Sequence, residues 1–249
     1  MTLEFEGIEN ARELGGLVRE DGARIKEGLL LRTGKLSGAT DGDIKRLSAM
    51  ELGAVIDFRD LREIQRDPDR DVPGAVHYHL PALPDLASVF TKAVNDETLT
   101  AAETHAGFNL LYRHLALSPQ SQEAYTRFFE ILLSLEGKPV LWHCTQGKDR
   151  TGVAAMLLLS ALGFDEETAI REYLLTNDFM QRQLGALSGR DIPPEQLAIA
   201  REVLLVFREN AESYLQNIRI EYASVINYLE LALGVGPEEI ARLERFYLE

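Results

Sequence analysis

The stretch Pro139-Val140-Leu141-Trp142-His143-Cys144-Thr145-Gln146-Gly147-Lys148-Asp149-Arg150-Thr151-Gly152 decides the fold. Its apolar lead-in reads as a short buried strand, and the run 152–162 that follows is apolar at helical length. Between them lies a tight, glycine-containing loop. A strand that ends in such a loop and opens a helix is the α/β unit whose backbone N–H groups converge on an anion. Cys144, the only cysteine of the chain, is separated from Arg150 by five residues, and a hydroxyl residue, Thr151, follows the arginine.

Upstream of this unit the chain alternates between short strands and helices. Segments 17–20 and 23–26 flank Asp21-Gly22 and predict a hairpin. Segment 29–32 predicts a strand that ends at Thr33-Gly34. Thr40 with Asp43 opens a helix that Gly53 should stop, and 54–58 and 75–80 predict two further strands around the polar run 59–71. Residues 82–118 show no clean period, which predicts a functional or partly helical segment, a cover or lid around 86–118. Ser118-Pro119 begins a helix that runs to Leu135. Beyond 162 the pattern is helical: one helix capped by Asp165, a short one from Asn177, one from Pro193-Pro194, a longer one carrying Tyr214, Ile218, Tyr222, Val225 and Leu229, and a last one from Gly236-Pro237. Strands alternating with helices, then a helical C-terminal portion, predict one α/β domain over 1–249 with a mostly parallel central sheet flanked by helices.

Composition narrows the function classes. A net charge of −14 argues against nucleic acid or an anionic membrane as partner. An anionic substrate must then be captured by a local positive pocket. No run of about 18 apolar residues spans a membrane. The opening Met1-Thr2-Leu3-Glu4-Phe5-Glu6 lacks the basic and apolar regions of a signal peptide, so a cytoplasmic location is expected. One cysteine forms no intramolecular disulfide, no Cys/His cluster has zinc spacing, and neither a metal nor an organic cofactor is expected.

A phosphate monoester needs a nucleophile, fixed donors for its oxygens and a proton for the leaving group. The segment 144–151 supplies the first two. Main-chain N–H groups of Thr145, Gln146, Gly147 and Lys148 onward form the cradle, and Arg150 clamps two oxygens with its planar fork. Thiols at helix N-termini beside cations are held as thiolates, the form in which Cys144 would attack phosphorus. Thr151 is placed to hydrogen-bond the departing sulfur, and His143 to orient the loop. A cysteine at a strand end is ordinarily inert core. Gly147, Arg150 and Thr151 at these offsets before an apolar helix favour chemistry, whereas the helix itself is simply core.

The loop resembles that of the cysteine-dependent tyrosine and dual-specificity phosphatases, His-Cys, five residues, Arg, then Ser or Thr. The nearer likeness is to a bacterial and mycobacterial branch, including atypical lipid phosphatases, whose loop carries Gly-Lys-Asp-Arg-Thr-Gly, here Gly147 to Gly152. Asn10-Ala11-Arg12-Glu13-Leu14-Gly15-Gly16 is similar to the branch's N-terminal motif, with Glu13 replacing Asp. Segments 31–36, 56–59, 173–177 and 228–243 also fit. The resemblance implies the phosphatase fold, a phosphocysteine intermediate, and a phosphorylated protein or phosphoinositide as substrate. It leaves two acids in competition, since no Trp-Pro-Asp tripeptide occurs. Asp85, after Pro84, stands where dual-specificity relatives carry their general acid. Asp149 lies inside the loop, close enough to protonate a leaving oxygen. Each also has a bland reading, as a turn residue and as an ion-pair partner. Lys148 adds a second cation useful for an extra phosphate on an inositol ring. Lipid-directed relatives often carry two lysines in the loop, and Thr145 here points away from a lipid-only substrate. Arg12, Arg32, Lys35, Arg59 and Arg62 are candidates to line the mouth, Arg59 foremost, although each alone reads more simply as a solvated charge.

Two other classes compete. Sulfurtransferases carry one loop cysteine but a cradle of different length, and a reductase on such a loop recruits further cysteines. A non-catalytic phospho-ligand binder usually loses Cys or Arg, and both are present here.

Overall fold

The computed structural model describes residues 2–83, 100–188 and 192–249. Its strands β1 (Arg12–Glu13), β2 (Leu30–Thr33), β3 (Ala54–Asp57), β4 (Val76–His79) and β5 (Val140–His143) form one sheet in the order β1-β2-β5-β3-β4. β1 is antiparallel to β2, and the other pairings are parallel. β5, buried at every residue, is the centre, and β4 is an edge whose side chains are largely exposed. Successive side chains of a strand point to opposite faces. Leu30, Ala54, Ile56, Val140 and Trp142 therefore enter one core, and Leu31, Val55 and Leu141 the other.

The smaller core is closed by α1 (Asp41–Ala49) and the N-terminal segment, through Ile8, Leu36 and Leu47. On this side α1 begins at Thr40, whose hydroxyl accepts from Asp43 N–H while the Asp43 carboxylate accepts from Thr40 N–H. The same device opens α2 (Leu61–Arg66), with Asp60 and Glu63. The larger core is closed by α3 (Ala101–Leu117), α4 (Pro119–Ser134), α5 (Asp149–Ala161), α6 (Glu166–Leu174) and the C-terminal helices α9 (Arg208–Tyr222), α10 (Val225–Leu233) and α11 (Pro237–Tyr247). Helices α7 (Thr176–Ser188) and α8 (Pro194–Leu204) complete the chain. Among the described residues no helix is long and apolar enough to cross a membrane.

Several boundaries differ from the sequence reading. The Asp21-Gly22 turn closes a single bridge, Val18 to Arg24, instead of a two-strand hairpin. The long helix expected through Tyr214 and Leu229 is two helices. Ala223, at φ 67, ends α9, and the Ser224 hydroxyl accepts from Asn227 N–H to start α10. The aperiodic region from 82 to 118 contains the helix α3, whose Phe108, Leu111, Tyr112 and Leu115 are buried. Its N-cap, Thr100 with Glu103, is a pattern the sequence displays. The helix after the cysteine loop begins at Asp149, not at Gly152.

Candidate active site

The in-register ends of β2, β3 and β5 place Thr33, Asp57 and His143 side by side, so the loop after His143 emerges at the carboxyl edge of the sheet. That edge is where open α/β sheets bind ligands. Cys144 follows at once and is 2 % exposed, at the base of the loop. Gly147 stands at φ +68, and a β-carbon there would meet the Thr33 carbonyl oxygen at 2.3 Å, so the loop takes its path only with glycine. Asp149 then starts α5, whose preceding residue, Lys148, makes no side-chain cap. The leading N–H groups of a helix lack intrahelical partners and carry a partial positive charge, and here no side chain caps them.

Arg150, in the first turn of α5, is held by Glu63 from α2. Nη1 donates to Glu63 Oε2 at 2.6 Å and Nη2 to Oε1 at 2.8 Å, while Nη1 also reaches the Phe58 carbonyl at 3.4 Å. A guanidinium has five N–H donors, so this leaves Nε and one hydrogen of Nη2 for a planar anion. Glu63 also accepts from the Thr145 hydroxyl and, at 3.0 Å, from Asp60 N–H. Burial alone would push the Glu63 carboxyl up, but the hydrogen bonds and charge of Arg150 outweigh it and hold it down at about 2. Arg150 is raised above the ordinary guanidinium range, since Glu63 and the Cys144 sulfur offset its burial. The sulfur thus lies within the field of this guanidinium.

Aromatic residues cover the other flank. Lys148 is only 3 % exposed: its ammonium sits 4.6 Å from the Phe108 ring centroid and 3.0 Å from Asp149 Oδ2. Asp149 Oδ1 accepts from the Tyr112 hydroxyl at 2.6 Å, and that hydroxyl lies 2.5 Å from Tyr173 OH. Burial, then the neighbouring Asp149 charge, pushes the Tyr112 phenol well above its ordinary value, so it remains a donor. Tyr173 also packs against the start of α5, where a β-carbon on Gly152 would meet its ring at 2.8 Å.

Behind the cysteine, His143 is fully buried. Its Nδ1 lies 3.2 Å from the Cys144 carbonyl oxygen, and its Nε2 lies 3.2 Å from Asp69 Oδ2 without hydrogen-bond alignment. Asp57, Asp69 and His143 bring three potential metal ligands within 4.8 Å of one another. A cation already occupies that cluster. Arg59, 1 % exposed, donates from Nε and Nη2 to Asp57, from Nη2 to Asp69 at 2.5 Å, and from Nη1 to the Asp67 carbonyl. Asp69 Oδ1 accepts from Leu36 N–H. The two carboxylates of the set are engaged by the Arg59 guanidinium, whose fixed positive charge works against a metal ion there.

The structure therefore brings together Cys144, Thr145, Gln146, Gly147, Lys148, Asp149, Arg150 and Thr151 as one loop and helix start. The Thr151 hydroxyl is fully buried and finds no partner. Arg59 is built into a carboxylate clamp instead of facing the loop mouth. Arg12 and Arg32, also candidates for the mouth, are buried and share Glu172. Lys35 pairs with Asp67. Asp85 lies outside the described residues, as does part of the expected cover. Sequence reading passed over Glu63, Phe108, Tyr112 and Glu172. Asp60-x-x-Glu63 carried a readable signal, the capping pattern that places a carboxylate at the first turn of a helix. Nothing local marks Glu172, which is recognised only by its two distant arginines.

Comparison with known proteins agrees with this geometry. A model of the tyrosine phosphatase family matches residues 3–249. A protein of Cupriavidus necator, named by inference as a tyrosine-protein phosphatase, is 33 % identical over 99 % of this chain and 88 % of its own. The triple specificity protein phosphatase PtpB of Mycobacterium tuberculosis is 26 % identical over 88 % of this chain and 85 % of its own. A tyrosine-protein phosphatase of Nostoc commune is 26 % identical over 61 % of this chain and 50 % of its own. A cysteine loop at the edge of a parallel sheet, a guanidinium pinned beside it and a family match along nearly the full length converge: the chain belongs to the tyrosine phosphatase family and is a phosphatase.

Proposed function

We propose that this single-domain enzyme hydrolyses phosphotyrosine in proteins through a phosphocysteine on Cys144. The thiolate attacks phosphorus, the S–P bond forms as the P–O bond to the substrate breaks, and a carboxylic acid hands its proton to the leaving oxygen. Water then attacks phosphorus, the S–P bond breaks, and the same carboxylate takes the proton from water as inorganic phosphate leaves. The loop N–H groups and the free edge of Arg150 bind the equatorial oxygens, and His143 braces the strand end through the Cys144 carbonyl. The orphaned Thr151 hydroxyl donates to the sulfur as it departs. A buried unpaired hydroxyl costs about 1–3 kcal/mol, and this task accounts for keeping one.

The observation that carries the reading is the bidentate Glu63–Arg150 pair beside Cys144 at an uncapped helix start. Proton donation falls to Asp85 or Asp149. Asp85→Asn or Asp149→Asn, whichever removes the donor, slows poor leaving groups and spares activated aryl phosphates. Phosphoinositides are the second substrate class, because Lys148 adds a cation to the loop. Lys148 is already engaged by Asp149 and Phe108, which favours phosphotyrosine. The name of one relative, tyrosine-protein phosphatase, supports phosphotyrosine. The enzyme's expected place of action is the cytoplasm. A panel of phosphotyrosine and phosphoserine peptides beside mono- and bis-phosphorylated inositol lipids tests the assignment. The highest kcat/KM is expected on phosphotyrosine, and a lipid preference would replace it with the second class.

A further inference from the structure

A peptide plane fixes its carbonyl and the next residue's N–H on opposite sides. Whatever holds a loop carbonyl outward therefore aims the following N–H inward. Two carbonyls of the cysteine loop are held in this way. Asn10 Nδ2 donates to Gln146 O at 2.9 Å and to Gly147 O at 3.0 Å, and Arg32 Nη2 donates to Gly147 O at 2.8 Å. The N–H groups these planes turn the other way are those of Gly147 and Lys148, in the middle of the cradle.

The donors are themselves fixed. Asn10 is fully buried and stands at φ 52, a left-handed conformation uncommon for a residue with a side chain, though asparagine tolerates it better than most. Its Oδ1 accepts from Arg12 Nη1, so both ends of the amide are committed. Arg12 continues through Nε to Glu172 Oε1 at 2.7 Å, and through Nη2 to the Glu172 carbonyl and the Thr176 hydroxyl. Arg32 reaches the other Glu172 oxygen through Nη1. Arg12, Arg32 and Glu172 are at most 4 % exposed. Two guanidiniums against one carboxylate leave a surplus positive charge inside the protein, a costly arrangement that an uncharged packing would avoid. Burial and the neighbouring Arg12 pull Arg32 down to about 10. The surplus is explained by its place, directly behind a loop that receives an anion.

We propose that Asn10 and Arg32, braced by Arg12 and Glu172, are positioning residues that hold the Gln146 and Gly147 peptide planes with their N–H groups facing the substrate phosphate. This rests on reading the loop as a phosphate cradle. It assigns work to the N-terminal Asn-x-Arg segment and to a β2 arginine that never touches the substrate.

The test measures kcat, KM and the inhibition constant for inorganic phosphate in the wild type and in three variants. N10D keeps the shape and the Arg12 contact but replaces the donor by an acceptor. N10G removes the side chain and suits the φ of 52. R32K keeps a charge against Glu172 and loses the fork, and it serves where either Asn10 variant fails to fold. Losing one preorganised donor costs about 10²- to 10³-fold in comparable sites. For N10D and N10G the expected result is a fall of about 100-fold in kcat/KM with the phosphate inhibition constant raised about tenfold or more, while thermal unfolding stays cooperative. R32K should fall between these and the wild type. A drop in kcat alone, with KM and the phosphate constant unchanged, would mean fewer folded molecules and overturn the positioning claim. So would variants within about twofold of wild type in all three constants. A wild type that phosphate does not inhibit would instead overturn the cradle reading beneath it.

Discussion

The loop around Cys144 is held from two directions by opposite chemistry. From the sheet, α2 and Glu172 of α6 come charges: Glu63 on Arg150 and Thr145, and the buried Arg12, Arg32 and Glu172 group beneath Gly147. From α3 and α6 come rings: Phe108 over Lys148, and Tyr112 backed by Tyr173 on Asp149. The charged side holds backbone planes and the guanidinium, and on the proposed mechanism these must be correct to fractions of an ångström for transition-state binding. The aromatic side holds the loop's own Lys and Asp side chains and buries Lys148. Damage to the first should appear in catalysis, and damage to the second mainly in stability and substrate choice.

The sharpest way to break this contrast is Arg150→Lys. Lysine keeps the charge and loses the fork, so kcat/KM should fall by about 10²- to 10³-fold in steady-state assays. Retained activity would show that charge alone suffices on the polar side. Glu63→Gln should cost less, about 10- to 100-fold, because Arg150 survives but is no longer pinned. The expected mark is a larger loss in kcat than in KM.

Glu63 also gives the contrast a pH signature. Its carboxyl is depressed to about 2 in the folded enzyme, so its contribution to stability is fully present above the unfolded value near 4.5 and is lost as pH falls toward 2. Urea unfolding from pH 6 down to pH 2.5 should show the wild type losing its advantage over Glu63→Gln across that window. A constant gap would remove the ion pair from the account. The smallest catalytic effect is expected on the aromatic side: Tyr112→Phe should lower stability by about 1–3 kcal/mol and leave kcat/KM within about fivefold. A collapse of activity in that variant would erase the distinction between the two sides.

Much of this was legible in residues 139–162, because a strand, a glycine loop and an apolar helix are local patterns and their chemistry follows from spacing. Caps were legible too: Thr40, Ser118 and Asp165 each begin a helix. What sequence could not supply were partnerships across long separations. Arg59 reads as a surface cation until Asp57 and Asp69 are seen around it, and Glu172 reads as a helix-surface acid until two arginines from β1 and β2 reach it. The helix α3 escaped because its apolar residues meet helices on more than one side, which blurs the period on which helix reading depends.

The central claim is that Cys144 becomes covalently phosphorylated during turnover. Rapid acid quench of the working enzyme with a phosphotyrosine peptide, followed by proteolysis and mass spectrometry, reads this directly. The account predicts a phosphoryl group on the peptide containing Cys144 in the wild type, and neither adduct nor turnover in Cys144→Ser. Turnover that persists in Cys144→Ser, or a phosphoryl group found on another residue, would contradict it.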